Sequence, residues 1–356
     1  MHIIHTARGA VLALALFILA TTSLVLSQPA EGAQQFADLG RCTLEDGQII
    51  EHCRIGYRTF GHLNAARDNA VLMPTWLFGT SADLVPLFGD GSKPEHLVDT
   101  TRFFGIAIDA LGDGVSSSPS NSTAQHGPGF PQFTTRDMVN AEYRVVTEVL
   151  GLKHLHAVAG LSMGGEQTFV WSVADPGFFD LAVSIVGTPR LTPYDLEVKQ
   201  AQLGTILIDP DFKAGHYTAE PPLKLANLFG NLTVITPEFR NAHTTREGFD
   251  AFLREVEAPN VLDANDRVSQ LRAVIAHDAI GKRALAEAAH AVTAKFLIIV
   301  NARDRLVNPQ PALDWAAALG APTYISQGDC AHIIMNCDAA AVSARVRPFL
   351  ATGTLP

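Results

Sequence analysis

The chain of 356 residues is 47% hydrophobic and only 17% charged, so it exceeds one small domain and differs from the polar composition of disordered chains. Its 26 Lys and Arg residues against 36 Asp and Glu residues give a formal net charge of −10. This charge excludes, for the chain as a whole, the basic surface that attracts nucleic acid or anionic membranes. A sizeable buried core is expected.

The first residues have the pattern of a secretory signal peptide. A short start with Arg8 leads into the apolar residues 11–26, and a polar stretch of small residues ends near Ala33. The apolar run is shorter than the roughly 20 residues that a spanning helix needs, and an uncleaved anchor is the alternative. No cysteine lies at the expected cleavage point, so the sequence does not indicate a lipoprotein anchor. We predict that residues 1–33 are removed and that the mature protein is secreted or periplasmic, without stable membrane association.

Four cysteines form two pairs that are close in sequence, Cys42 with Cys53 and Cys330 with Cys337. Neither pair has the C-x-x-C spacing of a zinc or redox site, and an oxidising compartment favours structural disulfides. We predict the local pairing. The other connectivities and four buried free thiols are the alternatives.

Short apolar segments alternate with helix-length stretches after a hairpin predicted over residues 38–60. The predicted strands are 71–76, 103–110, 155–159, 181–186, 296–300 and 322–326. Helices are predicted over residues 135–150 and 165–174, the second ended by a proline. This order predicts an α/β fold with a mostly parallel central sheet, helices on both faces, and an antiparallel edge from the hairpin.

The pattern changes between residues 188 and 291, which are helix-rich, hold seven prolines and offer only weak strand candidates. Because this stretch separates two predicted strands, we interpret it as a helical lid over the carboxyl edge of the sheet. The predicted organisation is a signal peptide (1–33), the first part of the core (34–190), the lid (191–290) and the second part of the core (291–356).

The residues from Gly160 to Gly164 have the pattern G-x-S-x-G, directly after an apolar strand and directly before a helix. In that context the pattern predicts a nucleophile elbow, a tight turn that lifts the Ser162 hydroxyl clear of the sheet. The amides at the start of the helix point at the site, so the Met163 N–H is a predicted oxyanion donor. An ordinary glycine-rich turn is the alternative.

A serine hydroxyl is a weak nucleophile without a base, and the base needs an orienting carboxylate. The chain order expected after an elbow is serine, acid, histidine. Asp304 follows a predicted strand, and His332 is the histidine beyond the last one. Asp329 is a competing acid, but it is so close to His332 in sequence that it is poorly placed to reach the ring. The predicted triad is Ser162, Asp304 and His332.

The loop after the first parallel strand is expected to supply the second oxyanion donor, for which we choose the Leu77 amide. Trp76 and Phe78 of this loop, with Phe229 and Phe239 of the lid, are predicted to line an acyl pocket. Their alternative role is that of ordinary core aromatics. The sequence holds no constellation of metal ligands and indicates no cofactor.

Several segments match family motifs in collinear order. AGLSMGGEQTFVWSVADP is similar to GGSMGGMQALEWA, and FPQFTTRDMVNAEYRVV is similar to FPxVTIRDMVxAQ. DALGDGVSSSPSNS, IDPDFKAGHY and NARDRLVNP match further stretches. The chain thus resembles the homoserine O-acetyltransferase family of α/β-hydrolases. The resemblance implies the α/β-hydrolase fold, with the triad Ser162, Asp304 and His332 and the oxyanion donors Leu77 and Met163.

Departures from these motifs bear on the activity. The transferases have Asp directly after the catalytic histidine, in GHDAF, where it is thought to bind the amino group of homoserine, whereas Ile333 stands there in this chain. The aromatic residue and Arg of the family's lid motif are replaced by Pro237 and Glu238, and Arg240 lies out of register. An acyl-CoA donor is cytosolic, so outside the cytoplasm water is the expected acyl acceptor.

The sequence therefore predicts an exported serine hydrolase that cleaves a small-molecule carboxylic ester through an acyl-Ser162 intermediate, with amides and thioesters as further candidate substrates. One alternative is an acyl-CoA-dependent O-acyltransferase of the homoserine O-acetyltransferase type. Another is a non-catalytic binding protein on the same scaffold. A disulfide between Cys330 and Cys337 is predicted to pin the loop that carries His332, with a redox switch as the alternative. The sequence indicates neither the natural substrate nor an oligomeric state.

Overall fold

In the computed structural model, which describes residues 30–258 and 262–355, ten strands form two sheets. The strands are β1 (Gln35–Thr43), β2 (Ile49–Phe60), β3 (Ala70–Pro74), β4 (Phe88–Gly89), β5 (Val98–Asp99), β6 (Phe104–Ile108), β7 (Leu155–Leu161), β8 (Phe179–Ile185), β9 (Lys295–Asn301) and β10 (Thr323–Ser326). Eight of them form the central sheet in the order β1-β2-β6-β3-β7-β8-β9-β10, and β4 pairs with β5. Only β1 with β2 and β2 with β6 are antiparallel in the central sheet. The predicted parallel sheet with an antiparallel edge is confirmed.

The described residues also form eleven α-helices, which cover both faces of the sheet. They are α1 (Ser81–Leu84), α2 (Thr135–Arg144), α3 (Met163–Ala174), α4 (Pro193–Leu207), α5 (Lys224–Val234), α6 (Pro237–His243), α7 (Phe249–Val256), α8 (Ala264–Ile275), α9 (Leu285–His290), α10 (Gln310–Leu319) and α11 (Met335–Thr352). Reciprocal hydrogen bonds between Thr134 and Asp137 start α2, and those between Thr192 and Asp195 start α4. None of the described helices is long and apolar enough to cross a membrane.

The core lies in two layers, one on each face of the central sheet. Alternate side chains of a strand point to opposite faces, so Leu72 packs in one layer with Phe169 of α3, and Met73 packs in the other with Phe349 of α11. Burial on both faces explains why the central parallel strands are continuous apolar runs rather than alternating ones. At about 25 cal/mol per Å² of buried apolar surface, these two layers are the main source of stability.

The predicted elements differ from the observed ones mainly at their ends. Each of the six predicted parallel strands lies within two residues of an observed strand at both ends. The strand predicted over residues 71–76 ends at Pro74, so Trp76 belongs to the following loop. The helix predicted over residues 135–150 changes at Val145 to a π-helical segment, and the short strands β4 and β5 were not predicted.

Helices α4 to α9 all lie between β8 and β9 in sequence, within the segment that was predicted to be the lid. Its role as a lid stays a prediction, as do the other segment boundaries. Residues 1–29 of the predicted signal peptide lie outside the described residues.

A buried carboxyl in the first core layer makes the stability of the fold depend on pH. Burial raises the pKa of Glu142 from 4.5 to about 8, and the Trp171 indole donates a hydrogen bond to this carboxyl at 2.7 Å. Because the pKa of Glu142 is higher in the folded than in the unfolded protein, the contribution of Glu142 to stability is fully present below about pH 4.5. This contribution is lost as the pH rises toward about 8. We expect Glu142→Gln, which retains an acceptor for the indole, to reduce this loss, by up to about 1.4 kcal/mol per pH unit. Urea unfolding at several pH values measures it, and identical slopes for the two proteins would contradict the assignment.

Candidate active site

Ser162 lies at the carboxyl end of β7, on the turn into α3. Its backbone has a φ of 53° and a ψ of −121°, a conformation that side chains disfavour. The turn is closed by hydrogen bonds from the Ser162 amide to the Ile185 carbonyl and from the Glu166 amide to the Ser162 carbonyl, both 2.9 Å. Glycine is required on both sides: a Cβ at Gly160 would overlap the Gly164 carbonyl, and one at Gly164 would lie 2.5 Å from the Pro74 oxygen. The strand, turn and helix have the geometry of a nucleophile elbow.

Three side chains form a continuous hydrogen-bonded chain at this turn. His332 Nε2 lies 2.8 Å from Ser162 Oγ, and His332 Nδ1 lies 2.7 Å from Asp304 Oδ2. With the proton on Nδ1, the imidazole donates to Asp304 and accepts from the serine hydroxyl. Both His332 and Asp304 are buried, so their interaction is weakly screened by solvent. The structure thus brings together the three residues of the predicted triad, in the arrangement that activates a serine.

Asp304 is held in place from the side opposite the imidazole. It follows β9, and its Oδ1 accepts hydrogen bonds from the amides of Leu306 at 2.8 Å and Val307 at 3.1 Å. Asp329, the competing acid, instead forms an ion pair with Arg303 at the surface. The geometry therefore favours Asp304 over Asp329 as the partner of the histidine.

Two backbone amides near Ser162 are free to bind an oxyanion. Neither the Leu77 amide nor the Met163 amide has a hydrogen-bond partner among the described residues. The next amide of the loop is occupied, because the Phe78 N–H donates to Gln270 Oε1 at 2.9 Å. The Leu77 and Met163 amides, and not that of Phe78, are thus available for the role predicted for them.

Four of the nine described residues other than glycine that have a positive backbone φ lie at the site or next to it, Ser162 among them. Phe78 has a φ of 68°, Val186 one of 47° and Ala331, directly before His332, one of 47°. Such conformations cost roughly 1–3 kcal/mol each and persist where the surroundings impose them. Their position around Ser162 is typical of a functional site.

A cavity of about 690 Å³ opens onto Ser162 and His332. The loop after β3 contributes Trp76, Leu77 and Phe78 to its lining, and helices α4, α5, α7 and α8 contribute the wall on the side of the inserted segment. Two predicted pocket residues are corrected here. Phe229 lies on the flank of α5 and packs against the cluster of Val198, Leu306 and Val307 instead of lining the cavity.

Phe239 is the second correction, because it too lies away from the cavity lining. It stacks on the His243 ring at a centroid distance of 3.9 Å on the short helix α6. Its neighbour Arg240 donates to Asn231 at 2.8 Å and to Thr244 at 3.0 Å, so its guanidinium is also committed. Aromatic content alone does not tell which face of a lid helix points inward.

The loop that carries His332 is fastened both to itself and to the inserted segment. The sulfur atoms of Cys330 and Cys337 are bonded on either side of His332, and those of Cys42 and Cys53 join β1 to β2, which is the predicted local pairing. The His332 amide donates to the Val234 carbonyl at 3.1 Å.

Thr236 makes a second connection between the inserted segment and this loop. Its amide and its hydroxyl both donate to the Asp329 carbonyl, at 3.2 Å and 2.9 Å. The carboxyl end of α5 is therefore tied to the histidine loop at two places.

Sequence reasoning missed three polar residues of the cavity. Lys199 and Gln202 on α4 and Arg267 on α8 line it, and each is nearly inaccessible to solvent. No short motif contains them, since their neighbourhood depends on how α4 packs against α8. Within residues 30–258 and 262–355, no cluster of side chains has the composition of a metal site.

Comparisons with known proteins identify the family of the chain. Residues 89–335 match the family described as the alpha/beta hydrolase fold. A probable esterase of Corynebacterium glutamicum is 36% identical over 53% of this chain and 54% of its own length, so the aligned part spans about half of that relative. An ethyl acetate hydrolase of Pseudomonas veronii is 32% identical over 66% of this chain and 70% of its own length.

A homoserine O-acetyltransferase of Chloroherpeton thalassium is as similar, 32% identical over 66% of this chain and 67% of its own length. Among solved structures, the acetyl esterase MekB superimposes with a TM-score of 0.81 and 26% identity over 90% of this chain and 98% of its own. These relatives share a fold and differ in the acyl acceptor that their names imply. On the sequence match and the structural superposition together, the chain belongs to the α/β-hydrolase family, close to both its esterases and its homoserine O-acetyltransferases.

Proposed function

We propose that the protein is an exported serine esterase that hydrolyses a small-molecule carboxylic ester through an acyl-Ser162 intermediate. The observation that carries the proposal is the hydrogen-bonded chain from Ser162 through His332 to Asp304, at the end of a cavity large enough for a small ester. The esterase relatives support ester hydrolysis as the reaction. The predicted leader and the two disulfides support export.

In the proposed first step, His332 accepts the hydroxyl proton of Ser162 while the serine oxygen attacks the ester carbonyl. The negative charge that develops on the carbonyl oxygen is stabilised by the amides of Leu77 and Met163. Asp304 keeps the imidazole in the required tautomer and stabilises its positive charge. His332 then gives the proton to the leaving alcohol, and the acyl group remains on Ser162.

In the second step, His332 takes a proton from water, and the hydroxide attacks the acyl-enzyme. The oxyanion donors act again, the acid product leaves, and Ser162 regains its proton. Water rather than homoserine is the proposed acceptor because Ile333 offers an ammonium group no carboxylate in the position after His332. Arg240, the candidate for the family's lid arginine, is already bonded to Asn231 and Thr244.

The experiment that tests the proposal measures the turnover of p-nitrophenyl acetate and longer p-nitrophenyl esters by the purified protein. It is run with and without homoserine, and in parallel with acetyl-CoA and homoserine as the only substrates. We expect release of p-nitrophenol without homoserine and labelling of Ser162 by a fluorophosphonate probe. Turnover only when homoserine is supplied would establish the acyltransferase that the Chloroherpeton relative represents, and absence of both turnover and labelling would establish a binding protein.

The disulfide next to His332 supports the positioning of the base. We expect the double variant Cys330→Ser with Cys337→Ser to lose roughly tenfold or more in kcat/KM for a p-nitrophenyl ester, because a displaced base reacts poorly. The matched control is Cys42→Ser with Cys53→Ser, which opens a disulfide of the edge hairpin and is expected to retain activity well below its unfolding temperature. Peptide mapping without reductant checks the pairing, and equal rates for the two variants would contradict the proposed role.

A further inference from the structure

The buried part of the cavity lining carries two cations. Lys199 of α4 and Arg267 of α8 each retain only 2% of their accessible surface, and both line the cavity together with Ser162 and His332. The carboxylate among the lining residues is that of Glu255, which is exposed on α7. Among the residues that line the cavity, the two cationic side chains are therefore buried and the carboxylate is exposed.

The Lys199 ammonium has no direct partner in the described part of the chain. The carboxyl groups of Glu166, Asp195 and Asp304 are close enough to attract it electrostatically, but none forms a hydrogen bond or an ion pair with it. Burial raises the pKa of Glu166 to about 8 and lowers the pKa of Lys199, and the attraction between the two groups opposes both shifts.

The other two carboxylates near Lys199 are engaged elsewhere. Asp195 accepts hydrogen bonds from Thr192 and from the Asn308 amide at 2.8 Å. Asp304 accepts from His332 and from two loop amides. The ammonium is left with hydrogen-bonding capacity toward the cavity.

Arg267 is also buried without a carboxylate in contact. Its Nη1 donates to Asn227 Oδ1 at 2.9 Å, and its Nε has no partner among the described residues. Glu220 acts on it electrostatically but forms no ion pair with it. Burial lowers the pKa of Arg267 to about 10, which leaves the guanidinium charged at neutral pH.

A neutral polar group completes this part of the cavity. Gln202 lies one helical turn after Lys199 on α4 and is 5% exposed, and its Oε1 has no hydrogen-bond partner in the described residues. The Arg267 guanidinium also lies 5.2 Å from the ring centroid of Phe78, which connects the cationic group to the loop of the Leu77 oxyanion donor. Burying charges without partners is strongly unfavourable, so their retention in a cavity indicates a ligand of opposite charge.

We propose that Lys199 and Arg267, with Gln202 beside them, bind a carboxylate of the substrate, so that the preferred ester carries a negative charge. This inference rests on the proposed esterase function and names the substrate class of the same site. The carboxylate belongs either to the acyl group, as in the monoester of a dicarboxylic acid, or to the alcohol, as in an acylated hydroxy acid. It takes no part in bond cleavage and anchors the ester while Ser162 attacks.

The test compares anionic esters with neutral counterparts of the same shape. Monoethyl glutarate is paired with the ethyl ester of glutaramic acid for the acyl side, and the acetyl ester of γ-hydroxybutyrate with that of its amide for the alcohol side. Product release near neutral pH is followed by chromatography. We expect kcat/KM to favour the anionic member by roughly tenfold or more in one of the two pairs, which identifies the side that bears the charge.

Variants assign this preference to residues. Lys199→Gln and Arg267→Gln are expected to reduce the anionic preference at least several-fold while the neutral ester is still hydrolysed, and Arg267→Lys is expected to retain part of it. Lys224→Gln and Arg254→Gln, on the outer surface of α5 and α7, are the matched controls and are expected to keep the full preference.

The ratio of kcat/KM between anionic and neutral esters, measured on the wild-type protein, is enough to test the inference. The test therefore still holds if a variant fails to fold. Hydrolysis of the neutral esters with no preference for the anionic members in either pair would overturn the carboxylate site and leave the esterase proposal intact. Failure to hydrolyse any ester, with no fluorophosphonate labelling, would overturn both.

Discussion

Ser162→Ala is expected to abolish ester hydrolysis, with a loss of kcat on the order of a millionfold, because the attacking oxygen is removed while the rest of the site remains. The imidazole of His332 then has no hydroxyl to activate. Steady-state assays with p-nitrophenyl acetate at high protein concentration measure the residual rate. The variant is expected to remain folded, because only the Ser162 hydroxyl, with its hydrogen bond to His332, is lost.

The matched control for this experiment is Ser172→Ala, a buried serine in helix α3, which begins directly after Ser162. Its hydroxyl only donates to the Thr168 carbonyl at 2.8 Å, far along α3 from the elbow. We expect it to keep wild-type kinetics. A Ser162→Ala protein that hydrolyses esters at a rate within about tenfold of wild type would overturn the acyl-enzyme mechanism.

The second large effect is expected on stability rather than on rate. Gly164→Ala places a Cβ 2.5 Å from the Pro74 carbonyl oxygen, and Gly160→Ala drives one into the Gly164 backbone. Neither neighbour is a flexible side chain, so β3, β7 or α3 has to shift. We expect each variant to lose at least about 3 kcal/mol of unfolding free energy or to fail to fold. Urea unfolding followed by circular dichroism measures the loss.

A glycine in open surroundings provides the control. A Cβ at Gly204, inside α4, meets no atom within 4 Å, and alanine is the better helix former. Gly204→Ala is expected to stabilise the protein by roughly 0.5–1 kcal/mol. If the three substitutions changed the unfolding free energy equally, steric contact would not be the reason that the elbow requires glycine.

Local sequence signals predicted the elements whose pattern is set by burial or by backbone conformation. The strands around β7 are mostly apolar because both of their faces are covered, so their positions could be found to within two residues. The turn at Ser162 was recognisable because its glycines form a local motif, although the contact that requires glycine at position 164 comes from Pro74 of β3. The strands β4 and β5 were missed because two residues each carry no periodicity.

The residues of the site divide in the same way. Asp304 and His332 could be placed by chain order because the sheet brings the carboxyl ends of its strands together. Phe229 was assigned to the cavity in error, and Lys199 and Arg267 were overlooked, because the side that a lid helix presents depends on its neighbours in space. Periodicity within one helix cannot supply that information.

The two ties between α5 and the histidine loop also constrain how this protein can be recombined with its relatives. The Val234 carbonyl and Thr236 form hydrogen bonds with the backbone of His332 and Asp329. The cavity wall formed by α5 and the loop that carries the imidazole are therefore expected to move together. A chimera that exchanges only residues 191–290 for the corresponding part of an esterase relative would separate α5 from the histidine loop with which it forms these hydrogen bonds. Transplanting residues 329–337 together with that segment would transfer both hydrogen-bonded partners, with the Cys330 and Cys337 disulfide, into the new host.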